Sequence, residues 1–348
     1  MQARRKVLAA LAGLLLPITA CSSSNSSAGT AIAGTSGSCP YTFAVITHGD
    51  NSSAWSVVYR GAKDAAHELG CRLSEVYGSQ QQGQAEPDDN AENAQIQDAI
   101  NAHVSGIVVS DHDPILMNPT IAKAVAAGIP VVMFNVSCDP ADLAATHAIT
   151  CIGQPEQVAG IKAGAYFKSQ GLTNILCVIH QTGKNLLDRC NGIAQALGVG
   201  PTCSTSTAPA HGPACSELIL TTPDAASDPQ QADQQVVSYL QVHPGIDAVM
   251  TLNEAIGTAL ATAESGKVKI GTFDLSSQVI SDLQSGTIDF AIDQQLYIQG
   301  YLPILTLYLY LKTHGLSVSP GSVLQTGPLV VTKANARTVQ AEINAGYD

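Results

Sequence analysis

Several signatures of chemistry are missing from this chain. There is no Gly-x-Ser-x-Gly elbow, no His-Glu-x-x-His, no Gly-x-x-x-x-Gly-Lys-Ser/Thr and no Gly-x-Gly-x-x-Gly. The local loops of serine hydrolases, zinc proteases, P-loop nucleotidases and dinucleotide enzymes are therefore absent. No Cys-x-x-Cys occurs, which removes the zinc-ribbon and thioredoxin spacings. Cations are scarce: 16 Lys and Arg stand against 28 Asp and Glu, a formal net charge of −12. A surface of that sign repels phosphate backbones and anionic headgroups, which argues for no nucleic acid partner. Beyond the amino-terminal region no stretch offers the roughly twenty uninterrupted apolar residues of a membrane span. No heptad or longer repeat suggests a coiled coil or a solenoid.

What is present begins at the amino terminus. Arg4, Arg5 and Lys6, an apolar run over residues 7–16, and Ile18-Thr19-Ala20-Cys21 read as a lipoprotein signal peptide over residues 1–21, with lipid on Cys21. An ordinary cleaved signal with Cys21 unmodified is the alternative. Removing the signal leaves 13 cations against 28 acids, a net charge of −15. Residues 22–38 are almost wholly Ser, Gly, Ala, Thr and Asn, too polar to repay ordering, and read as a flexible tether with a reach of about 20–25 Å. The protein is thus expected outside the cytoplasm, anchored to the cell membrane. Besides Cys21 there are eight cysteines, an even number in a compartment where disulfides persist. Sequence neighbours suggest Cys39–Cys71, Cys138–Cys151, Cys177–Cys190 and Cys203–Cys215.

From residue 41, short β-branched runs alternate with longer helical patterns: 43–46 then 54–69, 72–76 then 91–103, 106–110 then 114–127, and 130–134. A second series runs through 175–179, 248–251, 268–272 and 290–293. Apolar strands flanked by helices predict parallel sheets covered on both faces. Gly70, Gly128, Gly266 and Gly286 follow helical runs, where a left-handed closing residue belongs. Pro114, Pro155 and Pro229 sit at helix starts. The length after the tether favours two doubly wound α/β lobes over one. In such sheets ligands sit beyond the carboxyl ends of the strands. That rule points to residues 48–51 and Trp55, 111–113, Asn135, 180–189, Asn253, 273–274 and 293–294.

At those strand ends, Phe43-Ala-Val-Ile46 with Trp55 and Tyr59-Arg-Gly-Ala62, Ala126-Ala-Gly-Ile-Pro-Val-Val132, Asp188-Arg189-Cys190-Asn191-Gly192, Asp247-Ala-Val249 with Asn253, and Gly271-Thr-Phe-Asp274 stand in a telling order and spacing. Together they resemble the type I periplasmic binding proteins of sugar ABC transporters, the ribose-binding-protein group, over residues 41–333. The resemblance implies two lobes, 39–153 plus 295–321 and 154–294 plus 322–348, joined by a three-strand hinge near Gly153-Gln154, Gln294-Gln295 and Gly321-Ser322. It places ligand contacts on Trp55, which would stack on a sugar face, and on Asn135, Arg189, Asn253, Asp274 and Gln294. Asp50, Asn51, Asp111 and Phe273 are further candidates. Adjacent hydroxyls suit planar groups with two polar atoms in a row, and a ring face suits an indole. Asn135-Val136 stands where ribose-binding proteins commonly carry Asp-Arg, so ribose itself is not implied. The implied ligand is a monosaccharide or short alditol, the implied partner an ABC permease, and the implied state a monomer with no cofactor, metal or catalysis.

Each residue also has an ordinary structural role to weigh. Trp55 could belong to the core, Arg189 could pair with Asp188 or Glu217, and Asn253 and Asp274 could be helix caps. Asp111-His112-Asp113 has the look of a metal cluster, but acids ahead of a helix are commonly caps. A glycoside-processing enzyme would need paired carboxylates, for which Asp274 with Asp50 or Asp293 are the candidates. A receptor feeding a membrane sensor would use the same cleft.

Overall fold

The computed structural model describes residues 39–49, 53–74, 77–78, 86–136, 138–205, 211–221, 225–226, 228–264 and 266–347. The signal, Cys21, the tether, Asp50 and Asn51 lie outside the described residues. The first series comprises β1 (Thr42–Thr47), α1 (Ser53–Leu69), β2 (Arg72–Leu73), β3 (Tyr77–Gly78), α2 (Asp89–Asn101), β4 (Gly106–Val109), α3 (Pro114–Ala126), β5 (Val131–Phe134), α4 (Pro140–Thr146) and β6 (Cys151–Gly153). The second comprises α5 (Glu156–Ser169), β7 (Asn174–Ile179), α6 (Lys184–Leu197), β8 (Ala214–Ile219), α7 (Pro229–Val242), β9 (Ala248–Thr251), α8 (Glu254–Ala263), β10 (Lys269–Phe273), α9 (Ser277–Ser285) and β11 (Phe290–Asp293). The chain then returns to the first lobe with α10 (Leu296–Lys312) and β12 (Val323–Gln325), and closes in the second with β13 (Leu329–Thr332) and α11 (Ala336–Ala345).

Two sheets result, ordered β12-β6-β5-β4-β1-β2, with β3 also beside β1, and β13-β11-β10-β9-β7-β8. Side-chain alternation explains why each is covered twice. In β1, Ala44 and Ile46 pack toward Ile96, Met117 and Ile121, whereas Phe43 and Val45 pack toward Val58, Ala62 and Ile304. The predicted α/β class with two doubly wound lobes is the observed one. Among the described residues no helix is long and apolar enough to cross a membrane.

Four details depart from the sequence reading. The strand expected at 72–76 is found as two short pieces, β2 and β3. β12 pairs in parallel with β6, so the third crossing falls at residues 326–328 rather than at Gly321-Ser322. β13 runs antiparallel to β11. Its direction follows from the crossing: β12 ends at the cleft edge of the first sheet, so the chain enters the second at its cleft edge and must run away from it. Pro155 is the N-cap of α5 and not its first residue, while Pro114 and Pro229 do open α3 and α7.

Each lobe presents its site through a pair of helices in backbone contact. A Cβ at Gly160 of α5 would stand 1.9 Å from the Arg189 carbonyl oxygen, and one at Gly192 of α6 would stand 2.2 Å from that of Gln157. α1 and α10 meet in the same way through Gly61 and Gly300. Four disulfides join Cys39–Cys71, Cys138–Cys151, Cys177–Cys190 and Cys203–Cys215, the neighbour pairing expected from sequence.

Candidate functional site

The carboxyl ends of both sheets meet across a polar cleft. Trp55, Asn135, Arg189, Asn253, Asp274 and Gln294, the six leading candidates, all line it. Asn135 directly follows β5 and Asp274 directly follows β10, with φ of 64° and 68°. This left-handed conformation suits Asn and Asp better than other non-glycine residues, and it turns each side chain off the strand end. Trp55 sits in the first turn of α1, its ring edge-on to Phe134 at 6.3 Å and to His48 at 4.7 Å. It both packs on the core and lines the cleft.

The surrounding hydrogen bonds leave particular atoms for a ligand. Asn253 Oδ1 accepts from Ala255 N–H and Ile256 N–H, capping α8, so the cap uses its oxygen and leaves Nδ2 as a donor. Asn135 Nδ2 donates to Gln299 Oε1 at 2.8 Å, leaving Oδ1 as an acceptor. Gln294 Nε2 donates to Asp274 Oδ1 at 2.5 Å. Asp274 caps nothing, since Ser276 is the residue that caps α9. Arg189 pairs with neither Asp188 nor Glu217. Its Nε and Nη2 donate to Glu156 at 2.7 and 2.9 Å, and its guanidinium lies 4.3 Å from the Phe273 ring centroid. The buried fork is thus held in one plane, with its Nη1 edge not used by Glu156.

Charge in the cleft follows burial. Burial pushes Asp274 up to about 7, a shift opposed by Arg189 and reinforced by Glu254. His180 is pushed down to about 3 by burial and the Arg189 charge. Burial, then the neighbouring His112, holds His48 well below its ordinary value. Both histidines are neutral at pH 7, and both line the cleft. They are the first residues after β1 and β7, inside the windows marked by the strand-end rule, although the resemblance does not name them. Asn185 and Gln181 also line the cleft.

Two candidates need correction. Phe273 is wholly buried and supports Arg189 from behind instead of facing the cleft. Asp111 is also wholly buried and is absent from the lining, because the cap of α3 is Asp113, which accepts from Ile115 N–H and Leu116 N–H. Among the described residues no group of three or more His, Cys, Asp or Glu side chains is arranged to hold a metal ion.

Gln299, which carries no sequence signal, ties the cleft to the hinge. Wholly buried on α10, it accepts from Asn135 and donates through Nε2 to the Gln294 carbonyl and the Thr326 hydroxyl, each at 3.0 Å. Thr326 N–H reaches the Gly153 carbonyl at 3.1 Å. All three lobe crossings are therefore linked to one another and to Asn135.

Comparison with known proteins agrees with this architecture. The periplasmic binding protein domain family matches residues 43–315. A carbohydrate transporter from Acidothermus cellulolyticus 11B, crystallised with myo-inositol, is 32% identical with a TM-score of 0.76, over 88% of this chain and 99% of that one. A solute-binding protein from Burkholderia graminis C4D1M in complex with D-arabinose shares the fold at 22% identity and a TM-score of 0.70, over 86% of this chain and 97% of its own. The xylose/arabinose-binding protein of Sulfolobus acidocaldarius is 26% identical over 257 residues, 68% of this chain. The match spans 59% of that relative's length. With a family match over that span and two sheets whose carboxyl ends share one polar cleft, this chain belongs to the type I periplasmic binding proteins, extracytoplasmic proteins that bind a solute without transforming it.

Proposed function

We propose that this protein captures a monosaccharide or short sugar alcohol between its lobes and delivers it to an ABC importer. The observation that carries this reading is the polarity of the lining. Asn135 Oδ1 and the Asp274 carboxylate accept, Arg189 and Asn253 Nδ2 donate, and the Trp55 ring supplies an apolar plate. Adjacent hydroxyls that both give and accept protons match such an array. The cyclitol in the Acidothermus relative and the pentose in the Burkholderia protein are ligands of this chemical kind. The proposed lobes are 39–153 with 295–325 and 154–294 with 329–348, closing about the Gln299 network. The six lining candidates Trp55, Asn135, Arg189, Asn253, Asp274 and Gln294 are the proposed contacts, Asp50 and Asn51 standing as rim residues.

A thermal-shift screen over myo-inositol, D-arabinose, D-xylose, D-ribose and linear alditols, followed by titration calorimetry, tests the ligand class. The expected result is one class of polyol binding with Kd on the order of 1 μM or tighter, equivalent to about −8 kcal/mol. Absence of any shift across the set would overturn the reading. Cys21 is proposed as the lipid anchor. A Cys21→Ala variant should leave the membrane fraction for the soluble exported fraction, and wild type found already soluble refutes the anchor.

A further inference from the structure

A second cavity lies beside the cleft, and the six proposed contacts leave it without a role. Its volume is about 310 Å³, within the range of small-molecule sites. It opens between the lobes on the side of the first sheet edged by β6 and β12. Val136, just after β5, and Val323 and Gln325 of β12 line it from the first lobe. Gln154, just beyond β6, and the first turns of α5 and α6 line it from the second.

The two spaces adjoin. Asn135 of the first lobe and Asn185 of the second stand in the lining of both. The Arg189–Glu156 pair forms a wall between them, since Arg189 lines the cleft and its partner lines the cavity. A substituent on a ring held by Asn135 and Arg189 therefore has a place to go.

Gln154 shows what kind of group that place would take. The residue is 1% exposed, and its Nε2 donates to Glu156 Oε2 at 2.8 Å. Its Oε1 is buried with no hydrogen-bond partner among the described residues, and an acceptor in that state is costly unless a donor reaches it. A hydroxyl is such a donor. Charge narrows the choice further. Glu156 is paired with Arg189, and Lys184 lies 3.1 Å from Asp139 and 2.6 Å from Asp188, so the lining carries an acid in excess and disfavours a phosphate or a carboxylate. Amides and carboxylates suit neutral hydroxyls, while Val136 and Val323 offer apolar surface to C–H groups.

We propose that this cavity is a second subsite, and that the protein binds glycosides of its solute more tightly than the solute alone. One ring occupies the cleft, and a neutral glycosyl group attached to it occupies the cavity, with a hydroxyl toward Gln154. The inference rests on the sugar reading of the cleft and extends it. Because no Phe, Tyr or Trp lines the cavity among the described residues, the second ring adds hydrogen bonds without an aromatic plate, and the gain in affinity is about tenfold.

The test is titration calorimetry with matched pairs: myo-inositol and a galactosyl myo-inositol, D-xylose and xylobiose, D-arabinose and arabinobiose. At least one glycoside should bind about tenfold more tightly than its parent. Two substitutions fill the cavity from residues that do not line the cleft: Val158→Trp, in the first turn of α5, and Gln325→Trp, at the end of β12. Both positions are exposed, so the thermal midpoint of the free protein should hold. Each variant should lose the glycoside advantage and keep the parent's affinity within about twofold. Glycosides that bind no better than their parents, or an advantage that survives both substitutions, would overturn the second subsite and leave the sugar reading standing. Failure of parents and glycosides alike would sink the sugar reading, and the subsite with it. Glycosides bound where their parents are not would support both.

Discussion

Glu92 and Asp111 are wholly buried in the first lobe, and their carboxylate oxygens have no hydrogen-bond partner among the described residues. Burial, then the charges of Asp142, Asp113 and Asp89, pushes Asp111 up to about 7. Burial followed by Asp111 raises Glu92 well above its ordinary value. A raised acid favours the folded state at low pH, and that contribution is lost as pH climbs from about 4 toward 7, where the unfolded chain has already released its proton. Asp111→Asn should therefore leave stability unchanged near pH 4 and raise it by about 1–3 kcal/mol at pH 8, read by denaturant titration. Since Asp111 is off the lining, solute affinity should not change.

The two charged cleft residues differ in a way that can be separated. Asp274→Ala removes a proposed acceptor and strands ligand hydroxyls, so affinity should fall by roughly 10²-fold, while stability at neutral pH holds or rises because a buried acid is gone. Arg189→Ala should cost similar affinity and also about 2–3 kcal/mol of stability, because the half-buried Glu156 would keep only the Gln154 amide as a partner. Calorimetry and unfolding on the same two samples check both halves. Unchanged affinity in both variants would mean that the contacts have been misassigned.

Among the elements, α10 has a role out of proportion to its distance from the ligand. Through Gln299 it fixes the Asn135 amide and links the lobe crossings. Gln299→Leu would leave the Asn135 amide without its partner in a buried place, at about 1–3 kcal/mol, while the Thr326 hydroxyl still donates to the Gln294 carbonyl at 2.9 Å. The expected outcome is weaker binding together with lower stability, whereas Thr326→Ser should be mild. The glycine contacts are equally sharp. Gly160→Ala would force α5 off the Arg189 carbonyl, so a loss of about 1–3 kcal/mol is expected by thermal unfolding, with a shift of Glu156 and Arg189 that also weakens binding.

Across the whole molecule, the disulfides divide two and two between the lobes, and none crosses the hinge. Their arrangement stiffens each lobe and leaves closure free. Chain separations of 32, 13, 13 and 12 residues correspond to about 3 kcal/mol per bridge in the chain-entropy account. Reduction with a thiol should lower the thermal midpoint strongly, yet below that midpoint it should leave solute affinity within about twofold. A large affinity loss in reduced but folded protein would show that the bridges shape the cleft itself.

The local features were legible because their causes are local. The short apolar run 43–46 marks β1, glycines at the φ values 69°, 83° and 88° follow their helices at Gly70, Gly128 and Gly286, and cysteines near in sequence meet because neighbouring elements return them. Asn135, Asn253, Asp274 and Gln294 could be named because each stands just beyond a strand end, where a parallel sheet places it at the cleft, whereas Trp55 and Arg189, carried on α1 and α6, were singled out by the family resemblance. Tertiary structure alone decided the partners. Glu156 for Arg189, Gln299 for Asn135 and Glu86 for Thr182 lie 33, 164 and 96 residues apart, and no periodicity links residues so distant. The same holds for the lobe that β12 joins, the direction of β13 and the seclusion of Asp111. Sequence determines which face of an element is apolar. Which distant polar atom meets its side chains depends on how the two sheets are brought together.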